Sequence, residues 1–115
     1  EAVELGVKAQ NEVLKYLKPG AIGREVEQKA RDVMGTKDLD QYFAYVGIHS
    51  VGLVEFEPPI FHATSDVTIQ ADMVVSVDIP CFLTPWGGFR VEDGYRVTNE
   101  GPKALSFTKA GLIHV

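Results

Sequence analysis

The sequence predicts an α+β domain, two N-terminal helices packed on an antiparallel sheet, and three observations carry that expectation. Apolar residues recur at steps of three and four up to residue 35. Branched and aromatic runs broken by Gly, Pro, Asp and Asn take over from residue 42. No helical crossover separates one β-type run from the next, which argues for antiparallel strands. At 115 residues the chain reads as one domain, residues 1–115, long enough to remove roughly two-thirds of its unfolded surface from water.

In the first helix Val3, Val7, Gln10, Leu14 and Leu17 form the apolar face, opposite Glu4, Lys8, Asn11, Glu12, Lys15 and Lys18. Pro19-Gly20 ends it, because proline cannot continue the hydrogen-bond ladder and glycine accepts the turn. The second helix buries Ile22, Val26, Ala30 and Val33, with Glu25 and Glu27 near its positive end, Lys29 and Arg31 further along, and Gly35 as its stop. Both read as packing elements. Beyond the polar connection at 36–40, strands are expected at 42–46, 51–56, 67–69, 73–79 and 89–97. Glu57-Pro58-Pro59 reads as a sharp break, and Pro85-Trp86-Gly87-Gly88 as a hairpin turn with an exposed indole at its tip.

Charge and composition exclude several roles. A net charge of −5 with 11 basic residues leaves no basic stripe to displace counterions from a phosphate backbone, so nucleic acid is not an expected partner. The single cysteine, Cys81, cannot form an internal disulfide and reads as a small core residue in a reducing compartment, the cytoplasm. No apolar run approaches the roughly 20 residues needed to span a bilayer, so no membrane association is expected.

Three stretches place an imidazole or a carboxylate inside an apolar, strand-like run, where such a group is costly unless something compensates it. They are Gly47-Ile48-His49-Ser50-Val51-Gly52-Leu53, Ser76-Val77-Asp78-Ile79-Pro80 and Gly87-Gly88-Phe89-Arg90-Val91-Glu92-Asp93-Gly94. Each has a plainer reading: His49 as a hydrogen-bonded core residue, Asp78 as a turn cap, Arg90 and Glu92 as a surface ion pair. Their conjunction favours a shared metal centre, since an imidazole with two carboxylates suits manganese, cobalt, iron or zinc. Alternation puts Ser76 and Asp78 on one face of their strand, and Arg90 and Glu92 on one face of theirs. Tyr42, Phe43 and Tyr45 read as core or interface aromatics, and His62 and His114 as exposed side chains.

The order of two helices, a Gly-x-His-x-x-Gly-Leu strand, a Glu-Pro-Pro turn, a Ser-x-acid segment and an Arg-x-Glu-Asp strand resembles the C-terminal half of the pita-bread metallopeptidases. That family includes prolidase, aminopeptidase P, methionine aminopeptidase and creatinase. Trp86 to Asp93, followed by Val97-Thr98 and Gly101-Pro102, is most similar to the prolidase and aminopeptidase P branch. The resemblance implies half of a pita-bread fold with a curved sheet. It implies two divalent metal ions held in part by His49, Asp78 and Glu92, the last bridging them. Asp78 and Glu92 would be catalytic, Asp78 as the base for the attacking water. Arg90, Phe56 and His62 would meet a small peptide or another small carboxylated amide, with X-Pro hydrolysis as the leading reaction. Creatinase-like cleavage of a non-peptide C–N bond and a metal-free binding module are the alternatives.

The chain departs from the family pattern in three places. Asp78-Ile79 stands where glutamate and proline are usual, and Phe56 where a substrate-touching histidine is common. The chain begins at Glu1, without an initiating methionine, near the helix that in the family follows a hairpin carrying two further aspartate ligands. It is therefore expected to be one half of a two-half fold, associated with the missing N-terminal half or with a second copy of itself.

Overall fold

Small residues set how the first helix meets the sheet. In a computed structural model that describes residues 1–108, 113 and 115, α1 (Ala2–Tyr16) buries Gly6, Ala9, Gln10 and Val13, with Leu17 just past its end. A Cβ added at Gly6 would lie 2.6 Å from the Phe89 ring, so glycine is what lets the helix approach that closely. Val3, Val7 and Leu14 are consequently only half-buried. The buried stripe is rotated from the predicted one because hydrophobicity undervalues Gly and Ala as contact residues. The second helix, α2 (Gly23–Gly35), shows the same rotation: its buried positions are Gly23, Val26, Glu27, Ala30 and Met34.

After a 3-10 turn at Asp40–Tyr42 the chain forms β1 (Ile48–Ser50), β2 (Glu57–Ile60), β3 (Val74–Thr84), β4 (Gly87–Thr98) and β5 (Gly101–Ala104). All neighbours are antiparallel, in the order β2-β1-β3-β4-β5, and the sheet curls into a half-barrel. This is the predicted α+β architecture. Val75, Val77, Ile79 and Cys81 point from β3 toward the helices and are fully buried, each large aliphatic contributing roughly 1.5–3 kcal/mol. The opposite face of β1, β3 and β4 carries the polar residues described below.

Three expected strands take other forms. Residues 42–46 contribute only a single bridge, Phe43 to Cys81. Residues 51–56 are the exposed connection between β1 and β2, with Leu53 and Val54 facing solvent; branched residues form strands where a half-buried surface awaits them, and none does here. Residues 67–69 are extended but pair with the link between the helices, through Gly23 N to Val67 O at 2.9 Å and Ile69 N to Ala21 O at 2.8 Å. The Glu57-Pro58-Pro59 break is an edge strand, a place where missing N–H groups cost nothing. The second edge, β5, was not anticipated and also carries a proline, Pro102.

The Pro85-Trp86 turn does join β3 to β4, with Thr84 opposite Gly87 and Trp86 exposed. Cys81 is a buried free thiol. Among the described residues no helix is long and apolar enough to cross a membrane. His114 lies outside the described residues.

Candidate metal centre

Register brings the three polar intruders to one level of one sheet face. His49 on β1 pairs with Ser76 on β3, and Asp78 two residues along β3 pairs with Glu92 on β4, so all four side chains project from the same side. His49, Asp78 and Glu92 each offer a ligand atom, and these atoms lie within 4.8 Å of one another. His49 and Asp78 are buried, at 2% and 1% exposure.

The surrounding hydrogen bonds leave particular atoms free. His49 Nδ1 lies 3.1 Å from the Ser50 carbonyl oxygen, an acceptor that requires the ring proton on Nδ1 and so leaves the lone pair on Nε2. Ser76 Oγ donates to Glu92 Oε1 at 2.7 Å, and Arg90 Nη2 pairs with Glu92 Oε2 at 2.9 Å. The Tyr45 hydroxyl donates to Asp78 Oδ2 at 2.6 Å. Asp78 Oδ1 is buried without any hydrogen-bond partner among the described residues. A buried carboxylate oxygen left bare is a large cost, which a cation would remove. The donor set, one imidazole nitrogen and carboxylate oxygens, fits a divalent transition metal.

Burial is the main reason that the Asp78 carboxyl is pushed up to about 6. The Tyr45 hydrogen bond opposes that rise, Glu92 adds to it, and Arg90, 3.9 Å from Oδ2, opposes it. Burial also raises the Tyr45 phenol, as does its bond to Asp78. Tyr45, His49, Glu55, Phe56, Asp78 and Arg90 line a cavity of about 260 Å³. The Phe56 ring lies against His49, centroids 4.0 Å apart, and Arg90 reaches Glu55 at 3.9 Å across the mouth. His62 is exposed, outside that lining, with its Nδ1 2.9 Å from Thr64 Oγ1.

Two positioning groups escaped the sequence reading. Glu27, 2% exposed on α2, accepts from the backbone N–H groups of Gly47 at 3.1 Å and Ile48 at 3.0 Å, and so fixes the entry to β1 just before His49. Burial raises its carboxyl, against the pull of the Gly47 N–H and Arg31. Its signal was positional: Gly23, Glu27, Ala30 and Met34 share one helical stripe. Tyr45 had no signal beyond standing four residues before His49.

Gly47 joins the same web, accepting from Asp78 N at 2.7 Å. A Cβ there would overlap the Asp78 carbonyl oxygen, which is backbone and cannot swing aside. Overpacking typically costs about 1–3 kcal/mol. Gly47→Ala is therefore expected at the upper end of that range, read as a lower urea midpoint, with β1 displaced from β3.

A model of metallopeptidase family M24 matches residues 1–99. The Xaa-Pro dipeptidase of Pyrococcus horikoshii is 28% identical over 113 residues, 98% of this chain and 32% of the relative. The crystal structure of the prolidase from Pyrococcus horikoshii OT3 superposes with a TM-score of 0.88 at 28% identity, covering 96% of this chain and 32% of that one. An Xaa-Pro dipeptidase from Bacillus anthracis superposes with a TM-score of 0.87 at 30% identity, covering 95% and 31%. The chain thus spans about a third of the length of the curated relatives it matches.

Proposed function

This chain belongs to metallopeptidase family M24, and from that premise we propose that it supplies His49, Asp78 and Glu92 to a divalent-metal centre that hydrolyses small X-Pro peptides. Two observations carry the proposal together: Asp78 offers a ligand atom within 4.8 Å of those of His49 and Glu92, and its buried Oδ1 has no hydrogen-bond partner among the described residues. Family membership supports metal dependence, and the Xaa-Pro dipeptidase relatives support the substrate class. We propose that two divalent ions, manganese, cobalt, zinc or iron, would be held in part by His49, Asp78 and Glu92. The remaining ligands come from outside residues 1–115, in the rest of the fold or a second copy. The exposed Leu53, Val54 and Phe56 beside the cavity are suited to being covered by that partner.

Bound divalent cations would supply Lewis acidity toward the scissile carbonyl and lower the pKa of water. The side chains perform the remaining work. His49 offers Nε2, because Nδ1 is committed to Ser50. Glu92 is held by Ser76 and Arg90, which fixes the direction of its lone pairs. Asp78 Oδ1 is the atom free both for a cation and for the proton of the attacking water. Phe56 covers one side of the imidazole and limits water there. Arg90 and Glu55 set a cation and an anion at the mouth, the counterparts of the two charged ends of a dipeptide. His62 stands outside this arrangement.

The complete protein supplied with manganese or cobalt is expected to hydrolyse X-Pro dipeptides, and chelation is expected to abolish the activity, as followed by release of free proline. Tightly bound metal with no cleavage of any X-Pro dipeptide would overturn the peptidase assignment and favour another C–N bond as substrate. Absence of bound transition metal would instead favour a binding module.

A further inference from the structure

We propose that Tyr45 is a positioning residue of the metal centre: its hydroxyl captures Asp78 Oδ2, so that Asp78 meets a cation through Oδ1 alone. The inference rests on the metal-centre reading above and adds to it how one ligand is presented. The two oxygens of this carboxylate are treated very differently by the fold. Oδ2 accepts from Tyr45 at 2.6 Å and has Arg90 Nη1 3.9 Å away, whereas Oδ1 has no partner among the described residues. With Asp78 only 1% exposed, solvent competes for neither.

The direction of the Tyr45 hydrogen bond is also set. Arg90 Nη1 donates to the phenol oxygen at 3.2 Å, so the hydroxyl has its acceptor side occupied and its one proton is directed to Asp78. Rotating the carboxylate to offer both oxygens would break that bond to a charged acceptor. Asp78 is thereby restricted to one ligating oxygen before any ion arrives.

Tyr45 is itself held from the other side of the chain. Its carbonyl accepts from Arg31 Nη2 at 3.2 Å, and the same nitrogen lies 3.3 Å from Glu27, which grips Gly47 and Ile48. Its ring packs near Phe82, with centroids 6.1 Å apart. One ion pair on α2 therefore sets both the tyrosine that orients Asp78 and the strand that carries His49.

The test is a cobalt titration of the complete protein and of its Tyr45→Phe and His49→Ala variants, reading affinity by equilibrium dialysis and ligand geometry by the visible spectrum of bound cobalt. Phenylalanine keeps the ring and its Phe82 neighbour but leaves the buried Oδ2 without its donor, so the metal-free melting temperature is expected to fall modestly, by a few degrees. Affinity is expected to fall about 10-fold, the lower end of the cost of losing a hydrogen-bond partner of a ligand. The saturated spectrum is expected to shift as the freed Oδ2 comes into play. Equal affinity and an unchanged spectrum would overturn the proposal, as would a lowered melting temperature with the spectrum unaltered, the mark of a purely structural tyrosine. A wild-type protein that takes up no cobalt, or a His49→Ala variant that takes up as much as wild type, would overturn the metal-centre reading and this proposal with it.

Discussion

Replacing His49 with alanine is expected to abolish the proposed tight divalent-metal binding by the complete protein, and the proposed hydrolysis with it. The substitution removes the imidazole nitrogen from a set whose other members are two carboxylates facing each other across β3 and β4. Those carboxylates are already engaged by Tyr45, Ser76 and Arg90, so neither can swing over to replace the missing donor. The loss should exceed the roughly 10–100-fold that follows removal of a ligand's hydrogen-bond partner. Elemental analysis of the folded fraction after gel filtration checks it, and unchanged metal content would reject His49 as a ligand.

Glu27→Ala is expected to be strongly destabilising, although Glu27 touches no ligand. It strands the N–H groups of Gly47 and Ile48 in a buried setting, at about 1–3 kcal/mol each, partly offset by relief of the carboxylate's own desolvation. A net loss of about 2–4 kcal/mol at neutral pH follows, measurable by urea denaturation. Glutamine is no remedy, because one of the two N–H groups would face its amide nitrogen. The pH dependence distinguishes this cause from a general packing defect. Burial raises the Glu27 carboxyl above its ordinary 4.5 in the folded chain, so its contribution to stability is greatest below 4.5 and fades as pH rises through the raised value. The gap between wild type and Glu27→Ala should therefore widen on acidification. Equal stability of the two proteins would show that the contact carries no weight.

What the sequence disclosed follows from what a pattern can record. His49, Asp78 and Glu92 were conspicuous because each interrupts an apolar strand, and strand alternation already placed Ser76 beside Asp78. The hairpin at Pro85-Trp86 was equally plain, since Pro and Gly specify a turn chemically. The β1–β2 connection was misread because Val51, Leu53, Val54 and Phe56 carry strand propensity into a place where no second layer covers them. Glu27 was hidden for the opposite reason: an acid in the first turns of a helix reads as a partner of the dipole, and nothing local reveals two amides from residues 47 and 48 awaiting it. Tyr45 was hidden because its hydroxyl matters only once β3 lies alongside, 33 positions later. Long-range polar contacts, unlike periodicity, leave little trace in one chain.

Asp78 and Glu92 belong to a single hairpin whose loop is two residues long, and their alignment across it is set by that loop together with the register shift between Cys81 and Thr84. A slip of one position would send one carboxylate toward the helices while leaving composition and secondary structure nearly intact. Chemistry here is thus vulnerable to length as much as to identity. Insertions at the Trp86 tip, where an exposed surface turn would ordinarily be permissive, act on the heart of the molecule from its rim.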